Sequence, residues 1–306
     1  MFYGGSLPMK FVLFVICLLY SQSLWASVSQ WIPFKDHNGH VKIPVSVSGI
    51  DGYAILDTGA NISAINNSFI LKHDLSFIQG EKFNIKGVHG ERKARFLRDI
   101  EVTMFGKPVK FRELAPVSLG HHENIVLLGS EFFKQFVIQI DYPNQKLRLL
   151  TRDSIDLEKH KNIKMRFDKE QGLPVVEVDI GDVRKLKLLL DTGNNGGVLL
   201  PRNVARRHNL LNKYPQDRAI STGIAMSVEV DTFSIPELQF GPYTMENVAM
   251  VVPADGVRTN IFKPTKKLGT RLVKRPPDGI LGYDILKHFV LTIDYKKGLM
   301  HVGVPE

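Results

Sequence analysis

The chain has 306 residues, 43% of them hydrophobic and 23% charged, with one cysteine and a formal net charge of +9. That balance excludes a disordered or fibrous chain and leaves material for one to three domains with a sizeable core. A lone cysteine, Cys17, excludes an internal disulfide and a cysteine-built metal site. The basic excess is read as solvated surface, because no basic–aromatic pattern of a nucleic-acid module accompanies it and no nucleic-acid partner is expected.

In chain order, the first feature is an export signal. Lys10 precedes an apolar run over residues 11–20, too short to span a bilayer and suited to a signal-peptide core. Residues 1–26 are expected to be the signal, cut after Ala26, with Met9 as an alternative start. Cys17 lies inside the run behind Val15-Ile16 and not behind small residues, which argues against lipid attachment. An exported chain, periplasmic or secreted, is expected; an uncleaved anchor is the competing reading.

Two similar units follow, 27–150 and 164–306, joined by a polar linker at 151–163. In the first, Val45-Ser46-Val47-Ser48 alternates at period two, and the apolar run Tyr53-Ala54-Ile55-Leu56 ends in Asp57-Thr58-Gly59. A short helix is expected over 67–73. Residues 83–91 then read as a hairpin with a glycine-rich tip, Gly87-Val88-His89-Gly90. Leu127-Leu128-Gly129 precedes a second short helix, and residues 136–140 a strand ending in Asp141-Tyr142.

The second unit repeats this order. Val176-Glu177-Val178-Asp179 alternates, and Leu186-Lys187-Leu188-Leu189-Leu190 ends in Asp191-Thr192-Gly193. A short helix is expected over 202–208, and residues 219–226 form the counterpart hairpin. Ile280-Leu281-Gly282 precedes a helix, a strand over 289–293 and Asp294-Tyr295. Fifteen residues from Leu128 match fifteen from Leu281 without a gap, so the period is a domain duplication and not a solenoid. Many short strands, glycine-rich turns and few helices predict an all-β protein with two barrel-like lobes.

These paired motifs resemble the pepsin and retropepsin superfamily of aspartic peptidases. A lone Asp-Thr-Gly is weak evidence; two copies, each followed by its apolar-apolar-Gly element and short helix, are specific. The resemblance covers nearly the whole chain after the signal. It implies an acid protease fold of two pseudo-symmetric retropepsin-like β-barrel lobes. It implies that Asp57 and Asp191 form a catalytic pair, one from each lobe, activating a water for peptide-bond hydrolysis without metal or cofactor. Thr58 and Thr192 would bond across the axis to the opposite loop. Gly59 and Gly193 would hold backbone N–H groups near the carboxylates, and Gly129 and Gly282 would permit close approach of a supporting strand.

The chain departs from the family's usual pattern in places. Ala60 follows the first Asp-Thr-Gly, as in retropepsins, but Asn194 follows the second, where a smaller residue is usual. Asn194 is placed to bond Asp191 or to crowd the water. The hairpin tip at Val88 and His89 lacks a flap tyrosine. Three readings therefore stand: a monomeric endopeptidase, a peptide-binding protein that does not cut, and a unit that pairs with its twin in another chain.

Other residues have plainer readings. Asp141 and Asp294 precede turns and are expected to cap them. His121, His122 and Glu123 lack metal-site spacing. Residues 256–277 carry Arg258, Lys263, Lys266, Lys267, Arg271, Lys274 and Arg275, either a solvated loop or a contact for anionic membrane or an acidic partner.

Overall fold

A computed structural model describes residues 28–87, 90–168, 172–222, 227–257 and 276–305. The expected signal peptide with Cys17, the tip residues Val88 and His89, residues 223–226 and most of the basic segment, 258–275, lie outside the described residues.

Alternating apolar runs become strands, and the strands close into two barrel-like sheets of eight. In the first lobe the spatial order is Lys35–His37, His40–Val47, Ile50–Leu56, Asn124–Leu128, Ala64–Asn66, Lys107–Val117, Gly90–Met104 and Ile78–Gly87. His40–Val47 also pairs with Gly90–Met104, which bends the sheet back on itself. The second lobe has the same order: Met165–Phe167, Pro174–Ile180, Val183–Leu190, Gly279–Leu281, Val198–Leu199, Tyr243–Pro253, Ser227–Phe240 and Asp217–Thr222. Its closing pair is Pro174–Ile180 with Ser227–Phe240. The helices among the described residues are short; Asn67–Lys72 and Arg202–Arg207 occupy the expected places, and Ser130–Phe133 and Tyr283–Leu286 directly follow Gly129 and Gly282.

A third sheet joins the lobes. Its order is Ile32–Pro33, Lys146–Leu150, Val137–Asp141, Val290–Asp294 and Leu299–Gly303. The two repeated strands, read from sequence as separate features of each unit, pair with one another. In the register, Ile138 faces Ile293, Gln139 faces Thr292 and Ile140 faces Leu291. Gln139 and Thr292 are equivalent positions of the duplication, 153 apart, so the pseudo-twofold axis passes between them. Gln139 Nε2 donates to Thr292 Oγ1 there at 2.9 Å.

One continuous core of buried residues spans both lobes and this shared sheet, including Ile43, Leu56, Phe133, Ile138, Leu190, Leu281, Ile293 and Tyr295. The stretch 151–163, the expected polar linker, is docked against the lobes. It contains the helix Leu157–His160, buries Leu157, and pairs Ile163 with Met300. Leu157 and Ile155 supply the apolar contacts that hold it, against Val137, Leu150 and Leu299. Asp141 and Asp294 do cap turns: Asp141 Oδ1 accepts from Asn144 N, and Asp294 Oδ1 from Lys296 N and Lys297 N.

Candidate active site

The Ile50–Leu56 and Val183–Leu190 strands run from the core toward the axis, and each releases its chain at an aspartate. Leu56 pairs in parallel with Leu128 and Leu190 with Leu281. Asp57 N then donates to Leu128 O and Asp191 N to Leu281 O, both at 3.0 Å. The loop turns sharply and returns as the next strand, antiparallel to the same partner.

Gly129 and Gly282 sit where the partner strand crosses under the returning loop. A Cβ on Gly129 would lie 2.6 Å from Ile62 O, and one on Gly282 would lie 2.6 Å from Gly196 O. No side chain fits either gap, which is the physical reason for glycine in both apolar-apolar-Gly elements. The crossing is closed by Ser130 N donating to Ala60 O and Tyr283 N donating to Asn194 O, each at 2.8 Å.

The two loops lock to one another through their threonines, both fully enclosed. Thr58 N donates to Thr192 Oγ1 at 3.0 Å, and Thr192 N donates to Thr58 Oγ1 at 3.0 Å. Each hydroxyl donates onward to the opposite strand, Thr58 Oγ1 to Leu190 O at 2.7 Å and Thr192 Oγ1 to Leu56 O at 2.8 Å. Every donor and acceptor of the two hydroxyl–amide pairs is thus used, reciprocally about the axis.

This lock brings Asp57 and Asp191 together at the seam, partly buried. Gly59 N donates to Asp57 Oδ1 at 2.8 Å, and Gly193 N to Asp191 Oδ1 at 2.9 Å. Each carboxyl also lies against the opposite loop: a Cβ on Gly59 would be 2.4 Å from Asp191 Cγ, and one on Gly193 2.4 Å from Asp57 Cγ. The two carboxyls are thus close enough to feel each other's charge. Burial, then the adjacent Asp191 charge, pushes Asp57 well above the ordinary 3.8 of an aspartate. Burial raises Asp191 too, opposed by the hydrogen bond from Asp57. Two carboxyls so placed hold one proton between them.

Asn194 does not engage Asp191 through its side chain. Its Oδ1 accepts from Gly196 N at 3.1 Å, folding the amide back along its own loop. The expected hairpin is present, Ile78–Gly87 against Gly90–Met104, with Gly87 facing Gly90 across the turn. The His122 ring lies against those of His121 and His73, with Glu123 beside His121, and no metal-binding group of ligands occurs among the described residues.

Sequence reasoning passed over three supports. Tyr295, buried, places its hydroxyl 3.4 Å from both Thr58 O and Gly172 O, beneath the first loop. The recurrence of Tyr142 and Tyr295 after the repeated aspartates was its signal. Tyr283 OH donates to Asp36 across the lobes. The Asn38-Gly39 turn, in left-handed backbone, brings Gly39 within contact of Asn195 and Tyr283 beside the second loop. Tyr283 stands where the first lobe has Ser130, an asymmetry visible only once the duplication is aligned.

Residues 176–285, most of the second lobe, match the family model described as Aspartyl protease. No curated protein matches the chain. With two barrel-like lobes of the same strand order, the chain has a two-lobed retropepsin-like fold.

Proposed function

From a chain whose second lobe is an aspartyl protease domain, we propose an aspartic endopeptidase that hydrolyses peptide bonds with a water activated between Asp57 and Asp191. One observation carries this reading: two partly buried carboxyls from equivalent loops, each held by the glycine N–H of its own loop and set against the opposite loop, with burial pushing both upward. Like charges this close cannot both ionise cheaply, so one proton is retained, as in aspartic proteases generally. The ionised carboxyl takes a proton from water as the water oxygen attacks the peptide carbonyl carbon. The protonated carboxyl donates to the oxygen as it becomes an oxyanion. Collapse of the tetrahedral intermediate returns that oxygen to a carbonyl and expels the amine, which takes up a proton. The pair titrates as a unit, and neither role is assigned to one aspartate.

The alternative, a peptide-binding protein of the same fold that does not cut, drew its support from Asn194. The bond from Gly196 N to Asn194 Oδ1 turns that oxygen along its own loop and favours the cutting reading. Cleavage of a peptide library from about pH 3 to 7, with Asp57→Asn and Asp191→Asn beside the wild type, tests the proposal. Loss of activity in both variants is expected. Activity that survives either change rejects the shared dyad.

We extend the proposal to location and partners. The signal at 1–26 would direct export to the periplasm or beyond, checked by N-terminal sequencing of the secreted protein. The paired lobes within one chain suit a monomer, which light scattering reads directly. The basic segment 256–277 would meet anionic lipid or an acidic partner, with salt-sensitive vesicle binding lost on Lys→Glu changes.

A further inference from the structure

We propose that Lys42 holds a carboxylate of the substrate, so that the enzyme selects an acidic group on one side of the cleaved bond and not on the other. The inference rests on the peptidase reading and adds a charged subsite to it.

Strand pairing across the first lobe fixes which face carries Lys42. Lys42 pairs with Ile55, Ile55 with Leu127, Leu127 with Ala64, and Ala64 with Ala115. Paired residues of a sheet project from the same face, and successive residues alternate. Val41, Ile43, Ala54 and Leu56 enter the main core from the other face. Leu127, Ala64 and Ala115 belong to the cluster against which Ala60 and Ile62 of the first catalytic loop pack. Lys42 therefore continues the strip of sheet that abuts the loop carrying Asp57. Ile55 is two residues before Asp57, and Lys42 lies one strand further out. At about 3.3 Å per residue and about 4.8 Å between strands, its stem reaches positions within about four residues of the cleaved bond of an extended peptide.

Lys42 is 8% exposed, and among the described residues it makes no ion pair and no hydrogen bond. Burial lowers its pKa from the ordinary 10.5, and the charge of Glu123, which lies 3.8 Å from His121, opposes that shift. Lys35, paired with Lys42 on the same face, is already engaged, its Nζ 4.7 Å from the centre of the Tyr53 ring. A covered ammonium without a partner is costly, and a substrate carboxylate relieves that cost with a charge-assisted hydrogen bond. A long apolar stem lets a covered lysine bring its tip to the surface. The net charge of +9 adds a field that draws acidic peptides. The second lobe offers no equal. Val175 stands at the place equivalent to Lys42: it pairs with Leu189, Leu189 with Ile280, and Ile280 with Leu199. The cations of that face, Arg166 opposite Val175 and Lys187 opposite Glu177, are exposed, where an ion pair is worth little.

The test uses a library of neutral and acidic peptides, each with a free and an amidated C-terminus, at about pH 5.5, where a peptide carboxylate is ionised. The library is sorted by wild-type cleavage and by binding to Asp57→Asn, which needs no chemistry. An acidic group should be enriched about tenfold on one side of the cleaved bond. Lys42→Met and Lys42→Gln, which keep much of the stem and remove the charge, should abolish the enrichment. Lys42→Arg should keep it, and Lys42→Glu should turn it toward basic residues. Enrichment that survives amidation assigns an Asp or Glu side chain, and enrichment lost on amidation assigns the chain terminus; either upholds the inference. Cleavage with no acidic enrichment, with equal enrichment on both sides, or with enrichment that persists in Lys42→Met of wild-type circular dichroism overturns the inference and leaves the peptidase reading intact. Binding of acidic peptides that depends on Lys42, without any wild-type cleavage, overturns the peptidase reading and upholds the carboxylate site.

Discussion

Thr58→Val tests the lock between the loops most directly. Valine keeps the shape of threonine and removes Oγ1, which donates to Leu190 O at 2.7 Å and accepts from Thr192 N at 3.0 Å. Both partners are left unpaired in a site closed to water. Each orphaned group costs about 1–3 kcal/mol, so the loss is about 2–6 kcal/mol. Set against a total stability of about 5–15 kcal/mol, that is a large share of it. Thr58→Ser keeps both bonds and loses one methyl, so its cost is about 1 kcal/mol. Urea unfolding should separate the two variants by at least about 1 kcal/mol. Thr192→Val orphans a different pair, Thr58 N and Leu56 O. The double variant should still cost less than the sum, because a loop released by the first change has already lost the geometry the second removes. Activity should fall with stability in the valine variants and recover in serine. Valine and serine variants of equal stability would refute the lock as the element that holds the two carboxyls together.

The other predictions concern the dyad and its surroundings. Gly59→Ala puts a Cβ 2.4 Å from Asp191 Cγ, and relief requires the carboxyl to move by about 1 Å, which should lower kcat about a hundredfold. Gly303→Ala, whose nearest contact is 3.5 Å away on an edge strand, should change stability by less than about 0.5 kcal/mol and serves as the control. Activity should be bell-shaped in pH: it falls on the alkaline side as the dyad gives up its retained proton, and on the acid side as the second carboxyl takes one. The dyad binds its retained proton more tightly folded than unfolded, so its stabilising contribution is full below about 3.8, the ordinary aspartate value, and is lost as pH rises through the elevated folded range. Asp57→Asn should flatten that part of the stability–pH curve, and an unchanged slope would place the coupling elsewhere. Tyr283→Phe deletes the hydroxyl that donates to Asp36 across the seam, for an expected loss of about 1–3 kcal/mol by thermal unfolding.

What the sequence made legible was local or repeated. The aspartates, their threonines and the two supporting glycines could be placed because each recurs in the same order, and repetition turns a weak tripeptide into a specific signal. Hairpins such as Ile78–Gly87 with Gly90–Met104 were readable from alternation and glycine. Pairing between distant strands was not, because a period-two pattern says that a residue faces a core without naming the strand beside it. The shared sheet is the clearest case: Val137–Asp141 and Val290–Asp294 were both expected as strands, yet their mutual pairing has no local signature. The docking of the linker 151–163 was not legible for a related reason. Its composition is polar, but Leu157 and Ile163 suffice to dock it. Asn194 misled through size: the sequence shows an amide near an aspartate, and only the loop geometry shows that Gly196 N takes it.

The axis explains which positions can diverge between the halves. Gln139 meets Thr292 on it, and Thr58 meets Thr192, so a change in one member is felt at once by the other. The Thr58–Thr192 pair has remained identical in the two halves, and each member satisfies the buried groups of its twin. Away from the axis no such constraint acts. Ile62 stands against Gly196, and Ser130 against Tyr283. In a symmetric pair of identical chains every substitution would appear on both sides of the substrate. Joining the halves in one chain, and holding them by a sheet that draws strands from both, lets a position on one side change without its counterpart on the other. The loops that carry Asp57 and Asp191 must stay alike because their hydrogen bonds are reciprocal. The surfaces that meet a substrate do not bond to each other, and they are where selectivity can arise without disturbing the shared proton.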